Sequence, residues 1–161
     1  MIIDLRTGIG IDVHAFTEGR KFILGGIEIP SAKGLAGHSD ADALLHAVTD
    51  AMLGSLSLGD IGIHFPDDDP RYKNADSTVF LKKAHELIRN RGFYVNNIDV
   101  VVMLQQPKIS LYIQKMKEKI AKILDIGTER ISIKATTTEK LGFVGREEGI
   151  SVMAVVTVVR K

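Results

Sequence analysis

Residues 9–14 read Ile9-Gly10-Ile11-Asp12-Val13-His14, an alternation that decides how the rest of the chain is arranged. Successive side chains of a β-strand point to opposite faces, so Asp12 and His14 share one face while Ile11 and Val13 take the other. Further along, Ser39 is a natural N-cap for a helix over residues 40–56, with Asp40 and Asp42 in its first turn where the helix dipole favours negative charge. Ala41, Leu44, Leu45, Val48, Ala51 and Met52 form the apolar stripe of that helix, and Asp42, His46 and Asp50 line its polar edge. A helix packed across the polar side of the strand brings His46 towards Asp12 and His14.

The remaining segments fill in around this pair. Residues 22–24 and 27–30 flank Gly25-Gly26 as a hairpin. Residues 60–70 are turn-rich, and a helix is expected over 77–91 with Phe80, Ala84, Leu87 and Ile88 inward and Gly92 as its stop. The continuous apolar run 100–104 predicts a strand covered on both faces, and Pro107 suits the first turn of a helix reaching Leu124. Lys115, Lys119 and Lys122 fall on the outer side of that helix, as a solvated face. Residues 131–135 alternate as a strand, 136–149 form a Thr- and Gly-rich loop, and 150–159 close the chain as a strand. No repeat or linker divides these elements, so residues 1–161 are expected to form a single domain, a layered sandwich of α+β order.

Composition narrows the chemistry. With 21 Lys plus Arg against 20 Asp plus Glu, the net charge of +1 offers no broad basic field for nucleic acid or membrane. The chain has no cysteine, so any protein metal ligands are histidine or carboxylate, and a thiol nucleophile is excluded. Residues 1–10 place an acid and an arginine within an apolar stretch and lack the order of a signal peptide, and the apolar run at 152–159 is too short to span a bilayer as a helix. A cytoplasmic protein is expected.

Zinc accepts imidazole nitrogen and carboxylate oxygen, and catalytic sites commonly use three protein ligands with a fourth position open. Asp12, His14 and His46 supply that count, and Asp42 or Asp50, one turn either side of His46, would accept its second ring proton. Taken alone, Asp-x-His is also an ordinary pair of strand-edge polar residues. His38 and Ser39 precede the helix, where an anion can meet its N-terminus. Asp60-Ile61-Gly62 and Phe65-Pro66-Asp67-Asp68-Asp69-Pro70 place carboxylates in a turn suited to a polyol's hydroxyls, or simply to solvent. Thr136-Thr137-Thr138-Glu139 at a strand end can hold phosphate oxygens, with Glu139 meeting a bridging magnesium or manganese ion, or else cap a short helix. Arg146 is an anion ligand or a surface charge, and His64 and His85 read as surface residues. The chain carries no Walker loop, and Gly8-Ile9-Gly10 lacks the third glycine of a dinucleotide fingerprint.

Taken in order, Asp12-Val13-His14, the segment from His38-Ser39-Asp40-Ala41-Asp42 through His46 and Asp50, Gly59-Asp60-Ile61-Gly62, Phe65-Pro66-Asp67 and Thr136-Thr137-Thr138-Glu139-Lys140-Leu141-Gly142-Phe143 resemble the 2-C-methyl-D-erythritol 2,4-cyclodiphosphate synthase family over nearly the whole chain. The resemblance implies a mixed β-sheet flanked by helices on one face. It also implies a homotrimer with the sheets packed around the three-fold axis and active sites between subunits. Asp12, His14 and His46 match the family's zinc ligands, and Glu139 matches the ligand of a magnesium or manganese ion. Asp60, Ile61, Gly62 and Asp67 match positions around the methylerythritol, with Ser39, Phe65 and Asp69 beside them. Pro107, Lys108, Ala135, Thr136 and Thr137 match the cytidine-phosphate side, with Leu104 and Thr138 adjoining. His38 and Thr137 match residues assigned to transition-state stabilisation, and Phe143 and Arg146 match positions near the trimer channel and the ligand. Leu104 and Gln105-Gln106 depart from the common family pattern around the cytosine pocket. The implied reaction is intramolecular: the 2-phosphate of a cytidine diphospho-methylerythritol phosphate attacks the β-phosphorus and expels CMP. Two other classes remain open, a zinc phosphohydrolase using metal-bound hydroxide and a non-enzymatic metal- or nucleotide-binding module.

Overall fold

The alternating stretch around Asp12 is the middle of a fourteen-residue strand, β1 (Leu5–Glu18), in a computed structural model that describes residues 3–160. The chain continues through the short strands β2 (Phe22–Leu24), β3 (Ile27–Ile29) and β4 (Lys33–Leu35) to helix α1 (Ala43–Ser55). A single turn of helix, α2 (Ile61–His64), and the helix α3 (Thr78–Arg89) follow, then β5 (Phe93–Met103), α4 (Ile113–Leu124), β6 (Ile131–Thr136), the short α5 (Gly142–Gly145) and β7 (Gly149–Arg160). The main sheet has the order β4-β1-β7-β5-β6, and β2 pairs with β3 as a separate hairpin. Only β5 and β6 run parallel, joined through α4; the other neighbours are antiparallel, so the sheet is mixed as expected. Among the described residues no helix is long and apolar enough to cross a membrane.

The long helices pack on one side of this sheet. Ala47 and Ala51 of α1 lie directly over β1, and the approach is close enough to require glycine beneath. A Cβ on Gly8 would sit 1.9 Å from the Ala51 carbonyl oxygen, and one on Gly10 would sit 2.0 Å from that of Ala47. The Gly8-Ile9-Gly10 pair therefore serves helix packing, and it lowers α1 far enough for a side chain from its first turns to reach Asp12 and His14. Val100 and Val102 of β5 and Ile150, Val152, Ala154, Val156 and Val158 of β7 complete the buried face.

The opposite face of the sheet is apolar and uncovered within one chain. Ile9, Ile11 and Val13 are 60%, 53% and 52% exposed, and Met153, paired with Ile11, continues the patch onto β7. This face also corrects the reading of residues 100–104: Val101 and Met103 are only half-buried while Val100 and Val102 are fully covered. The strand is longer than its apolar run and is covered by helices on one side only.

Two helix starts differ from expectation. Ala41 has a positive φ of 57°, which breaks the helix before it begins, and Asp42 rather than Ser39 caps α1 by accepting the Leu45 amide. Ser39 instead accepts the Ala41 amide within the preceding loop. Asp42 is buried, not part of a polar edge, and its carboxylate also accepts the Gly25 and Gly26 amides at 2.9 and 2.6 Å, tying the β2–β3 turn to the helix. Burial pushes its carboxyl up to about 6 against the pull of those amides. Pro107 does not open α4; the chain passes through a loop and a 3-10 turn at Ser110–Tyr112 first. The outward lysines of α4, the hairpin, α3 and the last two strands fall where periodicity placed them.

Because Asp42 satisfies three buried amides from two elements, Asp42→Ala is expected to cost roughly 2–4 kcal/mol of stability. Urea denaturation measures this, and a loss below about 1 kcal/mol would mean that helix and turn hold without it.

Candidate functional site

β1 presents Asp12 and His14 on its helix-facing side, and α1 brings His46 down onto them. The three ligand atoms meet closely: Asp12 Oδ2 lies 3.0 Å from His14 Nε2 and 3.1 Å from His46 Nδ1, and the two ring nitrogens are 3.4 Å apart. Asp12, His14 and His46 form the one group of this kind among the described residues whose donor atoms could hold a metal ion together. Burial by itself would raise the Asp12 carboxyl, but hydrogen bonds and charge from both histidines outweigh it and hold the group well below the usual carboxylate range. Burial likewise lowers His14, and the bond to Asp12, its charge and the Ala36 carbonyl more than reverse this.

The far side of each ring tests whether these residues fit a cation. His14 Nδ1 is 2.6 Å from the Ala36 carbonyl oxygen, which only accepts, so one ring proton sits on Nδ1, and a cation in the cluster would meet the Nε2 lone pair in place of the proton that Nε2 otherwise shares with Asp12. His46 Nε2 is 2.8 Å from Ser77 Oγ, whose hydroxyl donates to the Asp40 carboxylate. Ser77 must then accept from Nε2–H, which leaves the His46 Nδ1 lone pair aimed at Asp12 and His14. Two neutral imidazoles and a carboxylate with convergent lone pairs are the donor set of a divalent metal site. The expected carboxylate partner of His46 is corrected: Asp42 is engaged by the β2–β3 turn, and Asp50 accepts the Ile61 amide at 2.7 Å, its carboxyl raised chiefly by burial.

The cluster opens into a cavity of about 230 Å³ lined also by His38, Ser39, Ile61, Gly62, Phe65, Asp67, Tyr72 and Phe80. Phe65, Tyr72 and Phe80 stack edge-on and tilted, with ring centroids 4.7–5.6 Å apart, and anchor the turn-rich segment against α3. Asp60 caps α2 through the Ile63 amide. His38 Nε2 is 3.2 Å from the Asp69 carbonyl oxygen, while the Asp69 carboxylate is held by Arg71 and kept below its ordinary pKa by that pairing. Arg20 donates to the carbonyls of Gly37 and Ser39 and so holds the loop that carries His38.

Leu104, Pro107, Lys108, Ala135, Thr136 and Thr137 line a second cleft of about 270 Å³ between the β5–α4 loop and the end of β6. This cleft and the metal cavity share no lining residue. Thr138, Glu139, Phe143 and Arg146 line neither; Thr138 donates to the Leu141 carbonyl, Thr137 donates to Glu139, and Arg146 pairs with Glu148 at 2.8 Å. His64 and His85 are half-buried rather than surface residues, His64 bonded to the Leu58 carbonyl, and neither joins the site. Sequence reasoning missed Arg20, Ser77 and Tyr72, and took Phe80 only as core. The serine at the start of α3 was the sole signal for Ser77, and nothing local marks Arg20.

The model of the YgbB family matches residues 5–159. A 2-C-methyl-D-erythritol 2,4-cyclodiphosphate synthase of Carboxydothermus hydrogenoformans is 56% identical over 154 residues, covering 96% of this chain and 94% of that protein. The protein of the same name in Bacillus mycoides is 53% identical over 156 residues, covering 97% and 99%. Among solved structures, the bifunctional IspDF of Campylobacter jejuni superposes with a TM-score of 0.96 at 47% identity over 99% of this chain, which corresponds to 43% of that longer protein. IspF of Plasmodium falciparum, solved as a CDP complex, superposes with a TM-score of 0.86 at 33% identity, covering 98% of this chain and 97% of that one.

Proposed function

The chain belongs to the YgbB family, and from that membership we propose that it is a phosphorus-oxygen lyase. It converts 4-diphosphocytidyl-2-C-methyl-D-erythritol 2-phosphate to 2-C-methyl-D-erythritol 2,4-cyclodiphosphate and CMP, in isoprenoid precursor synthesis in the cytoplasm, and residues 1–161 act as a single domain. The observation that carries this reading is the convergence of Asp12, His14 and His46 at the mouth of a cavity walled by Ile61, Gly62 and Asp67.

The substrate brings its own nucleophile. A 2-phosphate oxygen forms a bond to the β-phosphorus, the bond from that phosphorus to the CMP oxygen breaks, and CMP leaves with the electron pair. A phosphate monoester is already largely ionised near neutral pH, so no protein nucleophile is needed and positioning dominates. Zinc at Asp12, His14 and His46, and magnesium or manganese at the exposed carboxylate of Glu139 together with the diphosphate, would neutralise charge on the phosphate oxygens. Asp60 and Asp67, with the Ile61 and Gly62 backbone and Ser39 and Asp69 nearby, hold the methylerythritol hydroxyls. Phe65, packed on Phe80, keeps water from the reacting phosphates. Lys108, Thr136 and Thr137 take the cytidine phosphates, with Leu104, Pro107 and Ala135 forming the apolar wall for the base and Thr138 closing the strand end. His38 and Thr137 act on the transition state.

The protein works as a homotrimer whose sheets pack around the three-fold axis, with each active site between two subunits. The apolar sheet face of Ile9, Ile11, Val13 and Met153 supports the assembly, and so does the division of the site into two clefts with no residue in common. Phe143 and Arg146 then lie near the channel. Mass spectrometry of the products in oxygen-18 water tests the reaction. CMP and a cyclic diphosphate, both free of solvent oxygen, are expected; an open-chain methylerythritol 2,4-bisphosphate carrying one oxygen-18 would identify a hydrolase instead.

A further inference from the structure

We infer that Asp40 and Ser77 are positioning residues of the metal centre, acting through His46. This rests on the metal reading above. The two histidines are secured differently. His14 is oriented by a backbone carbonyl, that of Ala36, which no substitution removes, whereas His46 depends on two side chains from separate parts of the chain. Asp40 belongs to the loop before α1, and Ser77 precedes α3 and is fully buried.

The arrangement imposes one direction on the hydrogen bonds. Asp40 Oδ2 accepts the Ser77 amide at 3.0 Å, and Oδ1 accepts the Asp42 amide at 3.2 Å together with the Ser77 hydroxyl. A carboxylate satisfies all three donors and has no proton to return. The Ser77 hydroxyl, having given its proton to Asp40, can only accept from His46 Nε2–H. The unshared pair on Nδ1 is thereby kept free for the cation. Ser39 Oγ stands farther from the same nitrogen, at 3.3 Å, and accepts the Ala41 amide, so it is the weaker partner.

An amide in place of Asp40 would break this direction without changing shape. With its NH2 towards Ser77 it offers the hydroxyl a donor, the hydroxyl turns to donate to His46 Nε2, and the ring proton moves to Nδ1, where the ion belongs. With its oxygen there, the NH2 faces the Ser77 amide instead. The first orientation reverses the relay; the second keeps its direction but sets donor against donor at the Ser77 amide and pushes residue 40 away from Ser77, and the effect of such partners on affinity is commonly about 10–100-fold.

The test is zinc affinity by chelator competition for the wild-type trimer, Ser77→Ala, Asp40→Asn and Ser77→Thr, alongside the melting of each metal-free protein and the visible spectrum of each cobalt-substituted one. Ser77→Ala and Asp40→Asn are expected to bind zinc about 10–100-fold more weakly and to shift the cobalt bands. Ser77→Thr keeps the hydroxyl and is expected to recover most of the affinity, which separates the relay from any loosening of α3 seen in the melts. Wild-type affinity and unchanged cobalt bands in both Ser77→Ala and Asp40→Asn would overturn the inference and leave the zinc assignment standing. Absence of zinc binding by the wild-type protein would overturn both.

Discussion

His46→Ala is expected to lose its zinc and at least about a thousand-fold in turnover, since polarisation of phosphate oxygens by a metal ion contributes several kcal/mol and each tenfold in rate is about 1.4 kcal/mol. Removing His46 leaves Asp12 and His14, two ligands on one strand with no third donor within reach among the described residues. The fold is expected to survive, because His46 is only partly buried and the neighbours that hold α1 in place, Leu44, Leu45, Val48 and Met52, are untouched. Metal analysis, circular dichroism and product formation on the same preparation check this. A variant that keeps both its zinc and its rate would remove Asp12, His14 and His46 from the mechanism.

The second large effect is expected at a distance from any chemical group. Ile11→Asp puts a carboxylate in the middle of the exposed apolar sheet face, flanked by Ile9 and Val13 on β1 and opposite Met153 on β7. Each copy would bury that charge in a packed interface at a cost of several kcal/mol, and a trimer repeats the penalty three times. The chain should sediment as a monomer. Turnover should fall by at least about a hundred-fold if, as proposed, each active site is completed by a neighbouring subunit. Ile9, Ile11 and Val13 are more than half exposed in the single chain, so the monomer should keep its fold and its zinc. A fully active monomer would refute the shared site, and an unchanged trimer would show that the subunits meet through another surface.

Periodicity was enough for the elements whose packing is one-sided and regular. The strand carrying Asp12 and His14, the hairpin around Gly25-Gly26, α3, the outward lysines of α4 and the last two strands all follow from local patterns. It misled where a residue has a second partner far away. Ser39 and Asp42 are both good caps by type, and what selects Asp42 is the pair of Gly25 and Gly26 amides that only the fold brings to it. The run 100–104 reads as covered on both faces because an apolar side chain carries the same local signature whether its face is packed under helices, as at Val100 and Val102, or only half-buried, as at Val101 and Met103. Gly8-Ile9-Gly10 was informative only as a failed nucleotide motif, yet its glycines allow the approach of α1.

The convergence of Asp12, His14 and His46 into one group that could hold a metal ion was therefore legible in advance, since Asp-x-His on one strand face and a histidine on a helix edge are statements about short-range geometry. What tertiary structure alone decided is how those rings are held. Arg20 clamps the His38 loop from 17 residues upstream, and Ser77 and Asp40 reach each other across 37 positions to orient His46. Hydrogen bonds between distant side chains have no period and no fixed spacing, so no local pattern encodes them. They exist because folding the chain around one sheet brings together donors and acceptors that are far apart in sequence.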